Sequence, residues 1–242
     1  MEQNKDLGDV YERCELALNE TTTPEILCKL AGDTEWNVRM SIAYNVNTPA
    51  RVLCGLARDE NEWVRESVIH NINTPAEALC ELAGDKEAHV RESVAWNCNT
   101  PAEALRKLAG DKHCTVRTGV AYNKNTPAEI LCKLAGDTEW NVRMSIAYNV
   151  NTPAESLYKL AGDIDCVVRT RVARNINTPV EALCKLAEDE NCDVRQSIAR
   201  NTNTPEKILC ELTNDPKEYI REAAQTTLDN RSDTRSEPDC ER

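Results

Sequence analysis

The first feature of this chain that could do chemistry is a series of guanidinium groups at fixed spacing. Arg39, Arg65, Arg91, Arg117, Arg143, Arg169, Arg195 and Arg221 each follow a Val or an Ile. A row of arginines can hold phosphates or carboxylates as bidentate forks. Yet Asp33, Asp59, Asp85, Asp111, Asp137, Asp163, Asp189 and Asp215 stand six residues before them, one carboxylate for each arginine. An Asp–Arg ladder between neighbouring repeats explains both series at once. Ligands seldom demand the same group in every repeat, so the ladder reads as scaffold.

Thiols form a second series: Cys28, Cys54, Cys80, Cys132, Cys184 and Cys210 share one repeat position, where Arg106 and Tyr158 also occur. Stacked helices lie about 8–10 Å apart, whereas a disulfide needs Cα atoms within about 7 Å. Equivalent cysteines should therefore neither bridge nor share a metal, and they read as small packing residues near solvent. His70, His89 and His113 fall at three different repeat positions, and His113 beside Cys114 has no third ligand in view. No glycine-rich phosphate loop, His-Glu-x-x-His or Cys-x-x-Cys is present. The expectation is no catalytic, cofactor or metal site, and hence no enzyme, with a thiol- or metal-dependent activity carried by the cysteines as an alternative.

The repeat that sets these spacings is explicit. Asn-x-Asn-Thr-Pro begins at Asn45, Asn71, Asn97, Asn123, Asn149, Asn175 and Asn201, always 26 residues apart. With the Val-Arg phrase this gives eight units, and Glu25–Ala50 is identical to Glu129–Ala154. Each unit reads as two short helices. Helix A is expected to start with a Thr N-cap such as Thr74, then Pro75, with Glu77 completing a capping box. Leu79 and Leu82 give it one buried face, and Gly84 stops it. Helix B is expected to start at Asp85, to bury Val90 and Val94, and to leave through Asn97 in a left-handed conformation. Helices this short are marginal alone, so stacking must stabilise them. Residues 1–20 depart from the pattern, and Val10, Cys14 and Ala17 suggest an N-terminal capping helix. The repeats span 21–228, and the polar stretch 229–242 reads as a disordered tail.

The unit resembles the leucine-rich repeat variant family, as in NTPAEALCELAGDKEAHVRESVAWN from Asn73 to Asn97. The Asp-x₄-Val-Arg spacing of Asp59, Val64 and Arg65 is also similar to HEAT repeats. The resemblance implies an all-α, right-handed α-solenoid of two-helix repeats, free of β-sheet, in which one helix of each pair can be 3₁₀. One family member carries an N-terminal iron–sulfur region, but only Cys14 precedes the repeats here, and a cluster needs several thiolates.

Composition narrows the partner. Acidic residues outnumber basic ones, 41 to 29, for a net charge of −12. This argues against a general nucleic-acid binder and favours a basic partner at long range. No apolar run reaches the ~20 residues of a membrane span. Twelve cysteines without a secretory leader point to a reducing cytoplasm.

Where scaffold positions repeat, ligand positions should vary. The variable stripe of helix B lies two residues before, two after and six after the Val of Val-Arg. It reads Trp36, Met40, Tyr44; Glu62, Glu66, His70; Ala88, Glu92, Trp96; Cys114, Thr118, Tyr122; Trp140, Met144, Tyr148; Cys166, Thr170, Arg174; and Cys192, Gln196, Arg200. Trp63 and Arg171 lie beside it. Aromatic, Met and Arg side chains are enriched at interfaces. The helix B face, taken as the concave one, is therefore expected to bind a protein or peptide. Rings that merely fill gaps between helices are the alternative. Nucleic-acid stacking would use the same rings, with Arg171, Arg174 and Arg200 as its basic part.

Overall fold

The computed structural model describes residues 7–236. These residues form seventeen α-helices and no strand, an all-α solenoid of helical repeats. They fall into two compact units, Met1–Asn125 and Thr126–Arg242. The first holds α1 (Val10–Leu18), α2 (Pro24–Leu30), α3 (Trp36–Tyr44), α4 (Ala50–Leu56), α5 (Glu62–His70), α6 (Ala76–Leu82), α7 (Ala88–Trp96), α8 (Ala102–Leu108) and α9 (Cys114–Tyr122). The second holds α10 (Ala128–Leu134), α11 (Trp140–Tyr148), α12 (Ala154–Leu160), α13 (Cys166–Arg174), α14 (Val180–Ala187), α15 (Cys192–Arg200), α16 (Glu206–Leu212) and α17 (Glu218–Ser236).

Even-numbered helices are helix A and odd-numbered ones helix B. Both are α-helices, where the resemblance implied 3₁₀ for one of them. Helix B packs chiefly on the next helix B: α3 on α5 and α7 on α9, and in the second unit α11 on α13 and α13 on α15. Their valines make the core, with Val90 and Val94 fully buried. Leu79 and Leu82 of α6 close it from the helix A side. A helix of seven or nine residues cannot stand alone in water, so these contacts carry the fold.

Three local expectations are corrected. The Thr of Asn-Thr-Pro does not cap helix A: Pro75 is the N-cap of α6, and no side chain bonds there. The Thr hydroxyls instead donate backwards, Thr74 to Val68 O and Thr100 to Val94 O, each adding a second donor to a carbonyl that already accepts the N–H of the Asn ending helix B. Asp85 stands two residues before the N-cap of α7, Glu87, and its Oδ1 accepts the Glu87 N–H. Asn97 leaves helix B in extended geometry (φ −70°, ψ 126°), not left-handed. Gly84 follows the C-cap of α6, Ala83, as expected of a helix stop, and among the described glycines Gly8 alone has positive φ.

The Asp–Arg ladder is present. Arg65 Nε donates to Asp85 Oδ2 at 2.6 Å and Nη2 to Oδ1 at 2.9 Å, while Nη1 donates to Asp59 O of its own repeat. Arg39–Asp59, Arg143–Asp163, Arg169–Asp189 and Arg195–Asp215 repeat the pattern. Burial alone would push the Asp85 carboxyl up. The Arg65 hydrogen bond, the Glu87 N–H and the Arg65 charge outweigh it, and the group is held below its ordinary 3.8. Asp111, Asp163, Asp189 and Asp215 are lowered by the same balance.

The ends extend the pattern further than their sequences suggest. Arg13 of α1 donates to both Asp33 oxygens, at 2.8 and 3.2 Å. Helix α1 is thus a degenerate helix B that supplies the first rung, and a capping box of Asp9 and Glu12 opens it. At the other end α17 continues to Ser236, past the Leu228 boundary where a disordered tail was expected. Arg231 donates to Thr202 O and Thr204 O and ties that extension to the preceding turn. Residues 237–242 lie outside the described residues.

Candidate functional site

The turns that carry the stripe are held rigidly. Asn123 Nδ2 donates to Ala95 O at 2.9 Å and to Asn97 O at 2.8 Å, while its Oδ1 accepts the Asn125 N–H. Asn45, Asn71, Asn175 and Asn201 make the same double bond to the preceding repeat. The repeating Asn, Thr, Asp and Arg side chains are thereby engaged in the scaffold. Most of the aromatic side chains at the variable positions of helix B stand outside that network and remain partly exposed.

In the first unit Trp36, Met40 and Tyr44 lie on α3, Glu66 and His70 on α5, and Glu92 and Trp96 on α7, and the last four line one cavity. Tyr122 of α9 follows, its ring 5.0 Å from that of Trp96 and tilted by 44°. Trp63 is displaced from this row and faces His89, with ring centroids 5.4 Å apart. In the second unit Trp140, Met144 and Tyr148 of α11 repeat the α3 residues in identical sequence. The Arg171 guanidinium lies over the Tyr148 ring at 5.7 Å. Arg174 Nε donates to Ser197 Oγ at 3.1 Å, and Arg200 ends α15, exposed.

Burial bears on the gap-filling alternative. The four tryptophans and Tyr44, Tyr122 and Tyr148 are each between 41% and 51% exposed. Rings that only filled space between helices would be covered, as the valines beneath them are. Each ring here rests one face or edge on the stack and offers the rest to solvent.

The two stripes differ in charge. The first unit places Glu62, Glu66 and Glu92 at stripe positions and no Lys or Arg; the second places Arg174 and Arg200 there, with Glu218 and Glu222 at the equivalent positions of the last repeat.

Sequence reasoning missed a second row. The middle residue of Asn-x-Asn is exposed and apolar at Val46 and Ile72 in the first unit, and at Val150 and Ile176 in the second. It follows the last stripe residue by two positions, so Tyr44 with Val46 and Tyr148 with Val150 form apolar pairs at the lip of the turn. The signal was the one variable letter inside an otherwise fixed turn.

Also missed was the residue pair that sets the spacing of helix B. Gly119 of α9 lies against Ala95 of α7 so closely that an added Cβ would stand 2.8 Å from the Ala95 Cβ. The Ala95 position is Ala in Ala43, Ala121, Ala147, Ala173 and Ala199, but Ile69 in α5. There α5 and α7 are the most loosely packed consecutive helix B pair of the first unit. The turn shows it too: Asn97 donates to Ile69 O but makes no second bond, and Asn99 Nδ2 finds no acceptor among the described residues.

The eleven described cysteines are free thiols, and burial raises Cys14 and Cys80 above the ordinary thiol value. Among the described residues no group of three His, Cys, Asp or Glu is placed to hold a metal. No helix there is long and apolar enough to cross a membrane.

Neither protein-family models nor curated proteins match this chain. Solved structures do. A leucine-rich repeat variant, described as having a novel repetitive structural motif, is 28% identical and superposes with a TM-score of 0.65 over 85% of this chain and 82% of that one. The YibA protein of E. coli shares the fold at 19% identity and a TM-score of 0.52, over 90% of this chain and 96% of that one. The resemblance drawn from the repeated turn is therefore borne out at the level of structure.

Proposed function

We propose that this leucine-rich-repeat-variant-like solenoid is a non-enzymatic scaffold whose helix B stripe binds a protein or peptide. The observation that carries the reading is the separation of tasks within each repeat. Recurrent polar residues are consumed by the ladder and the turns, while the variable positions present half-exposed rings. Trp36, Met40 and Tyr44, and again Trp140, Met144 and Tyr148, supply apolar anchors of the kind that dominate interface energetics. His70, Trp63, Trp96 and Tyr122 extend the first surface. Arg171, Arg174 and Arg200 supply charged contacts on the second.

The test uses a photo-reactive phenylalanine analogue at Tyr44 and at Tyr148, with Tyr158 as control. Tyr158 is equally exposed but sits on helix A, in α12. Partner crosslinks from Tyr44 and Tyr148 and none from Tyr158 support the reading. Crosslinks from Tyr158 alone refute it. The nucleic-acid alternative is met by a salt titration of any binding to a single strand, where phosphate contacts give a steep loss of affinity.

A further inference from the structure

The loose junction between α5 and α7 opens a cavity of about 430 Å³ on the stripe of the first unit, lined by Glu66, Ile69, His70, His89, Glu92, Ser93, Trp96 and Asn97. Its cause is local. At the α7–α9 junction Ala95 meets Gly119 and the helices close up. At the α5–α7 junction Ile69 faces Ser93, and the larger pair holds the helices apart. Two unmade bonds, at Asn97 and Asn99, record the same separation independently of the cavity.

The charged side chains of this cavity are carboxylates. Glu66 Oε1 accepts the Ser93 hydroxyl at 2.9 Å, which leaves Oε2 open. His89 Nε2 is buried without a hydrogen-bond partner and lies 3.9 Å from that oxygen. Glu92 is half-buried and has no hydrogen bond or ion pair among the described residues. Trp96 adds an aromatic wall. Two carboxylates and a ring face one opening whose lining holds no Lys or Arg, and the side chain that donates only, through a planar fork that also stacks on rings, is arginine.

We infer that the cavity between α5 and α7 receives an arginine side chain of the bound segment, with its guanidinium held by Glu66 and Glu92 against Trp96. The inference rests on the reading of the stripe as a peptide-binding surface, and it gives the first unit a basic partner residue.

The experiment titrates N-acetyl-arginine amide into the ¹⁵N-labelled full chain and follows the indole N–H resonances of Trp96 and Trp63, assigned with Trp96→Phe and Trp63→Phe. A saturable shift is expected, with none from N-acetyl-citrulline amide, which has the same shape without the charge. Glu92→Gln should weaken binding about tenfold, the effect of losing one charge-assisted hydrogen bond. Ile69→Ala, which leaves both carboxylates in place, should weaken it as well by letting the helices close. No saturable shift, an equal response to citrulline amide, or indifference to both substitutions would overturn the inference. Stripe crosslinks from Tyr44 that persist while the arginine amide fails would remove the cavity assignment alone. A saturable arginine site on a chain that yields no stripe crosslinks would remove the stripe reading alone.

Discussion

The Arg91 guanidinium meets the Asp111 carboxylate side-on, with Nε to Oδ2 at 2.5 Å and Nη2 to Oδ1 at 3.1 Å, while its Nη1 bonds Asp85 O at 2.7 Å. One side chain thus joins two repeats and closes a turn of its own. Both partners are about nine-tenths covered. Removing one partner of a buried pair leaves a charge without compensation, so Arg91→Met should cost about 3 kcal/mol. Adding Asp111→Asn should restore part of that, because the amide oxygen still accepts the His113 N–H. Denaturant unfolding of the single and double variants measures both.

The same ladder sets an acid limit. Asp85, Asp111, Asp163, Asp189 and Asp215 all titrate below their ordinary 3.8 in the folded chain. A carboxyl with a depressed folded pKa contributes stability that is fully present above its unfolded value and is lost as pH falls through the folded one. Stability should therefore hold down to about pH 4 and drop steeply below it. Thermal unfolding across that range reads it. A flat profile between pH 5 and pH 2 would mean that the ladder contributes little.

Gly119 tests the helix spacing. Alanine in its place gains about 1 kcal/mol of helix propensity but forces a Cβ to 2.8 Å from Ala95 and 3.1 Å from the Trp96 ring. Overpacking costs about 1–3 kcal/mol, so Gly119→Ala should destabilise despite the better helix former. It should also disturb the Trp96–Tyr122 ring pair, which tryptophan fluorescence would register.

Ile69 is the converse. Truncating a buried Ile ordinarily costs about 2–5 kcal/mol. Here the site can collapse to the spacing of its neighbours, so Ile69→Ala should fall at or below the low end. Leu79→Ala, where no such collapse is available, should cost more. Equal losses would contradict the account of the loose junction.

The period, the two helices per repeat, the valine core and the Asp–Arg ladder were all legible in the sequence, because eight aligned copies separate scaffold from variable positions. The misreadings share one cause. Thr74, Asp85 and Asn97 were assigned the roles their residue types hold at an isolated helix end. In the stack each bonds to a neighbouring turn or repeat instead: Thr74 to Val68, Asp85 to Arg65, Asn97 to Ile69. The α5–α7 cavity was hidden for a related reason. Ile69 for Ala is a conservative change in one letter, and its effect exists only against Ser93 of the next repeat.

The binding claim is tested most directly by affinity capture from the native host's lysate, comparing wild type with variants matched for thermal unfolding. Trp36→Ala with Trp96→Ala strips the first unit's stripe, and Trp140→Ala with Arg174→Ala strips the second. A protein retained by wild type, and lost or reduced with at least one pair, is the predicted result. Equal retention by both folded variants would contradict the claim and move binding off the helix B stripe.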